Sequence, residues 1–258
     1  MEALKKNIAA EKSIQQDDSV IECEHLRKSF GSNIVLSDFN LVISKGENVV
    51  VMGKSGIGKT VLIKCIIGLT KPDSGTVKVF RQDISKLSKR ELDELRMRIG
   101  FVFQSSALYD SMTVRENLEF PLRRHRRAKI TRNVEELVRE VLREVGLEQA
   151  IDLMPSELSG GMRKRIGIAR SLILNPEIVL YDEPTTGLDP ITAKEITNLI
   201  LELQNKFRTT SIIITHDMDL AKATATRIVF IIEGKAFYNG TYEELKKITD
   251  PQIVPFFG

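Results

Sequence analysis

Apolar and polar positions along the chain fall into two registers, one of period two and one of helical period. Val20 to Lys28 and Leu36 to Ile43 alternate as strands, with polar turns on either side. Val49-Val50-Val51-Met52 is apolar without alternation, and Val61 to Leu69 behind it reads as a helix. After the turn Lys71-Pro72-Asp73-Ser74-Gly75, Thr76 to Phe80 returns as a strand. Leu92 to Met97 predicts a short helix, and Ile99 to Phe103 a buried strand ending at Gln104. From Thr113 to Gly146 the period turns helical, with Val134, Leu137, Val138, Val141, Leu142 and Val145 on one stripe. A further helix runs to Leu174 after Leu158-Ser159-Gly160-Gly161-Met162. Ile178 to Tyr181 is continuously apolar, as a central parallel strand covered on both faces requires. Ile196, Leu199, Ile200, Leu203 and Phe207 line the next helix, Ser211 to Thr215 is another buried strand, and Arg227 to Glu233 with Lys235 to Asn239 reads as a hairpin about Gly234.

Between the run at Val49 and the helix at Val61 lies Gly53-Lys54-Ser55-Gly56-Ile57-Gly58-Lys59-Thr60, which fits G-x-x-x-x-G-K-[ST] at every fixed position. Gly53, Gly56 and Gly58 allow backbone angles that turn successive N–H groups inward. At a helix N-terminus those donors make a site for β- and γ-phosphates. Lys59 adds a point charge there, and the Thr60 hydroxyl suits one Mg²⁺ position. Strand, glycine loop and helix in that order predict nucleoside triphosphate binding.

A P-loop demands a carboxylate partner at a strand end, and Asp182-Glu183 closes the strand from Ile178. Asp182 is placed to reach a Mg²⁺-bound water, and Glu183 to orient or deprotonate the attacking water. The remaining candidates each admit a plainer reading. Gln104 either closes a strand or completes the Mg²⁺ shell. Phe30 either covers a core edge or stacks on adenine. His216 is either structural or a γ-phosphate contact. Ser159, with Gly160 and Gly161 behind it, is either an ordinary helix N-cap or a second anion site with nothing nearby in sequence to fill it. Asp189 caps the helix that opens at Pro190.

Hydrophobic residues make up 42% of the 258 residues and charged ones 28%, ordinary for a globular protein. The net charge of +3 is too small to argue for nucleic acid. Arg123, Arg124, Arg126, Arg127, Lys129 and Arg132 cluster locally, either as a solvated face or as attraction to anionic lipid. Cys23 and Cys65 read as reduced, buried small hydrophobes. No run approaches a membrane span, and residues 1–19 form a polar leader without a signal-peptide core.

Taken in order, these features resemble the nucleotide-binding subunit of ABC transporters over roughly Val20 to Leu245. The A-loop matches Phe30, Walker A Gly53 to Thr60, the Q-loop Gln104, and the signature Leu158 to Met162. Walker B matches Ile178 to Glu183, the D-loop Asp189, and the H-loop His216. The resemblance implies an α/β P-loop fold with a RecA-like core, an antiparallel β subdomain and a helical signature subdomain over about 105–175, followed by a short tail at 246–258. It implies ATP and Mg²⁺ as cofactors, and a head-to-tail dimer in which the signature of one copy caps the ATP held by the other. Met162 departs from the family, which usually has glutamine there.

Three stretches are similar to one branch, the Mla-type ATPases of phospholipid transporters that work with MCE proteins. These are Met154 to Met162, Gln104 to Met112 and Tyr181 to Thr192, with the closing segment Asp250-Pro251 to Phe257 also similar. The resemblance implies a membrane permease, a periplasmic MCE subunit, a small STAS-domain protein, and a peripheral location at the cytoplasmic face of a bacterial inner membrane. In ABC transporters the region Gln104 to Phe120 forms the groove for the permease's coupling helix. Two other readings stand beside it: an ATPase for another cargo, and a soluble ABC ATPase of repair or translation. The second lacks support in paired cassettes or coiled-coil insertions.

Overall fold

The computed structural model describes residues 18–124 and 133–257. Among them an antiparallel sheet contains β1 (Ser19–Phe30), β2 (Asn33–Ser44), β4 (Ser74–Val79) and β5 (Gln82–Asp83), in the order β2-β1-β4-β5. A second sheet contains β3 (Asn48–Met52), β6 (Ile99–Val102), β7 (Ile178–Asp182), β8 (Thr210–Ile214), β9 (Arg227–Ile232) and β10 (Lys235–Gly240), ordered β10-β9-β3-β8-β7-β6. Neighbours from β9 to β6 run parallel, and β10 closes the edge antiparallel.

The parallel strands lack polar alternation because both of their faces are covered. Val49 and Val51 pack on one side with Leu62, Ile63 and Ile66 of α1 (Lys59–Ile66) and with the antiparallel sheet. Val50 and Met52 face the other side, where Leu118, Leu142, Ile168 and Ile200 converge from separate helices. Those helices are α3 (Val114–Arg124), α4 (Val134–Glu144), α5 (Gly160–Leu172) and α6 (Pro190–Phe207). The smaller α2 (Lys89–Arg96), α7 (Met218–Thr224) and α8 (Tyr242–Leu245) are the other α-helices among the described residues. A period-two strand buried on both sides must be apolar at every position.

The helical stretch Thr113 to Gly146 is divided between α3 and α4. The α4 stripe behaves as its spacing requires, with Val138, Val141, Leu142 and Val145 buried. Within the basic cluster, Arg126, Arg127, Lys129 and Arg132 lie outside the described residues, as do residues 1–17 of the leader. Arg123, in the last turn of α3, pairs with Glu119 one turn back. Both cysteines are free and buried. Burial pushes the Cys65 thiol up to about 11 and the Cys23 thiol further. Beyond α8 the chain lies against the core: Ile253 is buried and the Phe256 ring stands edge-on to Phe230, 5.0 Å between centroids.

Candidate active site

β3 delivers the chain into the glycine loop and α1 carries it away, so the loop is fixed at both ends by buried elements. Its conformation needs the glycines. Gly53, Gly56 and Gly58 have φ of 147°, 77° and 112°. A Cβ on Gly58 would meet Val35 Cγ1 at 2.5 Å, and one on Gly53 the Ile231 carbonyl at 2.8 Å. The first turn of α1 has no side-chain cap, so its N–H groups point outward for an anion. Lys59 folds back over the loop and donates from Nζ to the carbonyls of Gly53 at 2.7 Å and Lys54 at 3.1 Å. Burial pulls the Lys59 pKa down, opposed by the carboxylates of Glu183 and Asp182.

Across from α1, the ends of β6, β7 and β8 bring in the other groups. The Thr60 hydroxyl donates to Asp182 Oδ1 at 3.0 Å. Burial raises the Asp182 pKa, and Glu183 beside it adds to the rise. Glu183 itself turns out of β7 at φ 50°. One of its oxygens accepts from Thr186 Oγ1 at 3.1 Å and lies 2.9 Å from His216 Nδ1; the other is 3.9 Å from Lys59 Nζ. A cleft of about 440 Å³ results, lined by Phe30, Ser55, Gly56, Gly58, Lys59, Thr60, Gln104, Glu183, Thr186 and His216, with Val35 and Val61. Phe30 stands 54% exposed at its mouth, an apolar ring free to be covered. Its strand end is held by Asp73, which accepts from the Ser29 N–H and Oγ, both at 2.6 Å, and from Lys28 Nζ at 2.8 Å. Those bonds draw the Asp73 pKa down to about 2.

The residues fit a magnesium nucleotide. Hydroxyl, carboxylate and amide oxygens from Thr60, Asp182 and Gln104 form the all-oxygen set that Mg²⁺ takes, and a cation relieves the burial of Asp182. Glycine backbone, Lys59 and the α1 N-terminus make the anion cradle beside it.

Not every candidate reaches this cleft. Ser159 caps α5, its hydroxyl accepting from Met162 N at 3.2 Å, and Ser159 and Gly160 are exposed. Gly161 approaches α6 so closely that a Cβ would meet Thr192 Cγ2 at 2.6 Å. Asp189 caps α6 by accepting from Ile191 N and Thr192 N, each at 3.0 Å, and from the Thr192 hydroxyl at 2.6 Å, which lowers its pKa. Neither Ser159, Gly160, Gly161 nor Asp189 lines the cleft of its own chain. Lys54 is exposed and Ile57 half-buried within the loop.

A second concavity of about 460 Å³ lies beyond Gln104, lined by Phe101, Phe103, Ala107, Tyr109, Phe120, Pro121 and Arg170 among others. Tyr109 is 43% exposed with its ring 4.8 Å from that of Phe120. Phe120 therefore belongs to this groove, whereas Leu118 is core. Asn117, fully buried, shapes the rim: it accepts from Tyr109 N at 2.8 Å and donates to the carbonyls of Tyr109, Met112 and Thr113. Pattern reasoning did not single out Asn117 or Thr186. A polar residue on the apolar face of α3 was the available signal for the first. The second carried none beyond its nearness to Glu183.

An ABC transporter family model matches residues 36–186. The chain is 39% identical over 244 residues to the intermembrane phospholipid transport system ATP-binding protein MlaF of Haemophilus influenzae, covering 93% of this chain and 90% of that one. It is 38% identical to a probable ribonucleotide transport ATP-binding protein of Mycobacterium leprae, covering 92% of this chain and 68% of the relative. An ATP-binding cassette solved as a dimer in a post-hydrolysis state with ADP and Pi superposes with a TM-score of 0.77 at 33% identity, over 86% of this chain and 98% of that one.

Proposed function

We propose that this chain, which belongs to the ABC transporter family, is the ATP-hydrolysing subunit of a phospholipid transporter of the Mla type. As a member of that family the chain is an ATPase that binds ATP with Mg²⁺ and couples its hydrolysis to transport. The observation that carries the mechanism is the convergence of Lys59, Thr60, Gln104, Glu183 and His216 on one cleft, with Asp182 bonded to Thr60.

In this reading the glycine loop and Lys59 hold the β- and γ-phosphates, and Phe30 covers the adenine. Thr60, Asp182 and Gln104 hold the magnesium ion or its waters. The ion supplies neutralising charge to the phosphate oxygens. Glu183 accepts the proton of the attacking water, and His216 keeps its carboxylate aimed. Ser159, Gly160 and Asp189 stand exposed and Gly161 half-buried, all away from their own cleft, which supports their serving the cleft of a second copy placed head to tail.

The phospholipid cargo rests on identity along nearly the whole of both chains with the Haemophilus relative. The groove at Tyr109 and Phe120 is the docking site for the permease, and an MCE protein and a STAS-domain protein complete the complex. No helix among the described residues is long and apolar enough to cross a membrane. The chain then sits peripherally at the cytoplasmic face of the inner membrane. The Mycobacterium relative favours a second reading, the same ATPase serving another cargo.

Purification of the tagged chain from its host's membranes in mild detergent, with identification of what accompanies it, tests the cargo. A permease with an MCE protein and retained phospholipid is the expected result. A permease without an MCE protein favours another cargo, and recovery with ribosomes or DNA overturns the transport reading.

A further inference from the structure

Lys164 lies on α5, five residues beyond the Ser159 cap, and is only 6% exposed. A buried ammonium is costly unless its donors are met. Its Nζ donates to the carbonyl of Gln104 at 2.6 Å and to the carbonyl of Glu183 at 3.3 Å. Burial pulls its pKa down, and the charges of Glu183 and Asp182 oppose that fall.

The two carbonyls belong to two different strand exits. β6 and β7 are paired as far as Val102 and Tyr181, and Gln104 and Glu183 come just after that register ends. Lys164 therefore links them where the sheet no longer does. The same helix holds the rest of the segment after β6. Gly167 leaves room for Ser106, where a Cβ would come within 3.2 Å of the serine's own. Arg170 donates to the carbonyls of Ser106 and Ala107, both at 2.8 Å. Both of those residues are left-handed, with φ of 61° and 46°. Lys164 does not line the nucleotide cleft.

We infer that Lys164 is a positioning residue for ATP hydrolysis, fixing the backbone of Gln104 and Glu183 relative to each other and to α5. A displacement of α5 then carries both residues with it. This rests on the roles given above to Gln104 and Glu183. An apolar residue could fill the same space, but only a multiple donor can hold two carbonyls together.

The test is steady-state hydrolysis and equilibrium binding of Mg·ATP by the full chain carrying Lys164→Met, Lys164→Arg, Gln104→Ala, and Lys164→Met with Gln104→Ala. Lys164→Met is expected to lower kcat by about ten-fold or more while ATP affinity stays within about three-fold, and Lys164→Arg to recover much of that loss. If Lys164 acts through Gln104, its removal costs clearly less in the Gln104→Ala background than alone. Near-normal kcat in Lys164→Met, a loss confined to KM, or full additivity with Gln104→Ala overturns the proposal. Should Lys164→Met not fold, Lys164→Leu, which likewise carries no donor, is read by the same criteria. Lys59→Ala in parallel separates the two failures: if it too hydrolyses normally, the site assignment has failed, not only the role of Lys164.

Discussion

His216 Nδ1 lies 2.9 Å from Glu183 Oε2, joining the second residue after β8 to the residue after β7. Glu183 sits in a left-handed turn, and Thr186 shares the same carboxylate oxygen at 3.1 Å. The carboxylate is thus aimed by two side chains from different loops. Positioned proton transfer contributes about 10²–10⁴-fold, so His216→Ala, which loosens but keeps the base, is expected to lower kcat by about the lower figure. ATP affinity should change little. Kinetics in which KM alone rises would assign His216 to binding instead.

Asp182 predicts an exchange of stability for function. Burial raises its folded-state pKa, so its ionisation weighs against the fold above that pKa, and the penalty is relieved as pH falls through it. Without metal, Asp182→Asn should therefore melt higher than the native chain at pH 8, with the advantage shrinking toward acid. With Mg·ATP it should lose about 10²-fold in turnover and require more Mg²⁺. Melting curves with and without metal check both halves. An Asn variant less stable than native in the absence of metal would contradict the sign.

Lys59 donates to two loop carbonyls, which hold its ammonium at the cradle's floor. Lys59→Ala should weaken ATP binding and reduce hydrolysis by about 10²-fold or more, since the phosphates lose their fixed charge. Calorimetric titration with ATP and a turnover assay measure the two effects separately.

Tyr109→Asp places an unpaired charge in the groove beside Phe120. Because Tyr109 is 43% exposed, the isolated chain should fold and bind ATP normally. It should fail to assemble with the permease, since desolvating one unpaired charge costs several kcal/mol. Co-purification from membranes is the check. Normal assembly moves the docking surface elsewhere, and misfolding makes Tyr109 a core residue.

The strands and the nucleotide loop were legible because their physics is local. Val49 to Met52 is apolar throughout since both sheet faces are covered, and Gly58 is required since Val35 leaves no room for a Cβ. Asp182 could be assigned to the magnesium site in advance because a phosphate-binding loop needs a carboxylate partner at another strand's end. What escaped depends on contacts distant in sequence. Lys164 stands between Arg163 and Arg165 in sequence, yet Ile168 one turn on and Ser171 two turns on are buried, so its helical phase points inward. Its two acceptors, 60 and 19 residues away, are main-chain oxygens that no side-chain pattern records. The left-handed pair Ser106-Ala107 was invisible for the same reason, because the Arg170 that bonds both of its carbonyls comes from another element.

In the proposed mechanism this cleft hydrolyses ATP with Glu183 as the base. Single-turnover hydrolysis of Mg·ATP by Glu183→Gln, alongside its ATP affinity, tests that most directly. The amide keeps the shape and loses the proton acceptor. The expected result is ATP affinity within about three-fold of native with hydrolysis slowed by about 10²-fold or more. Hydrolysis at the native rate would contradict the account.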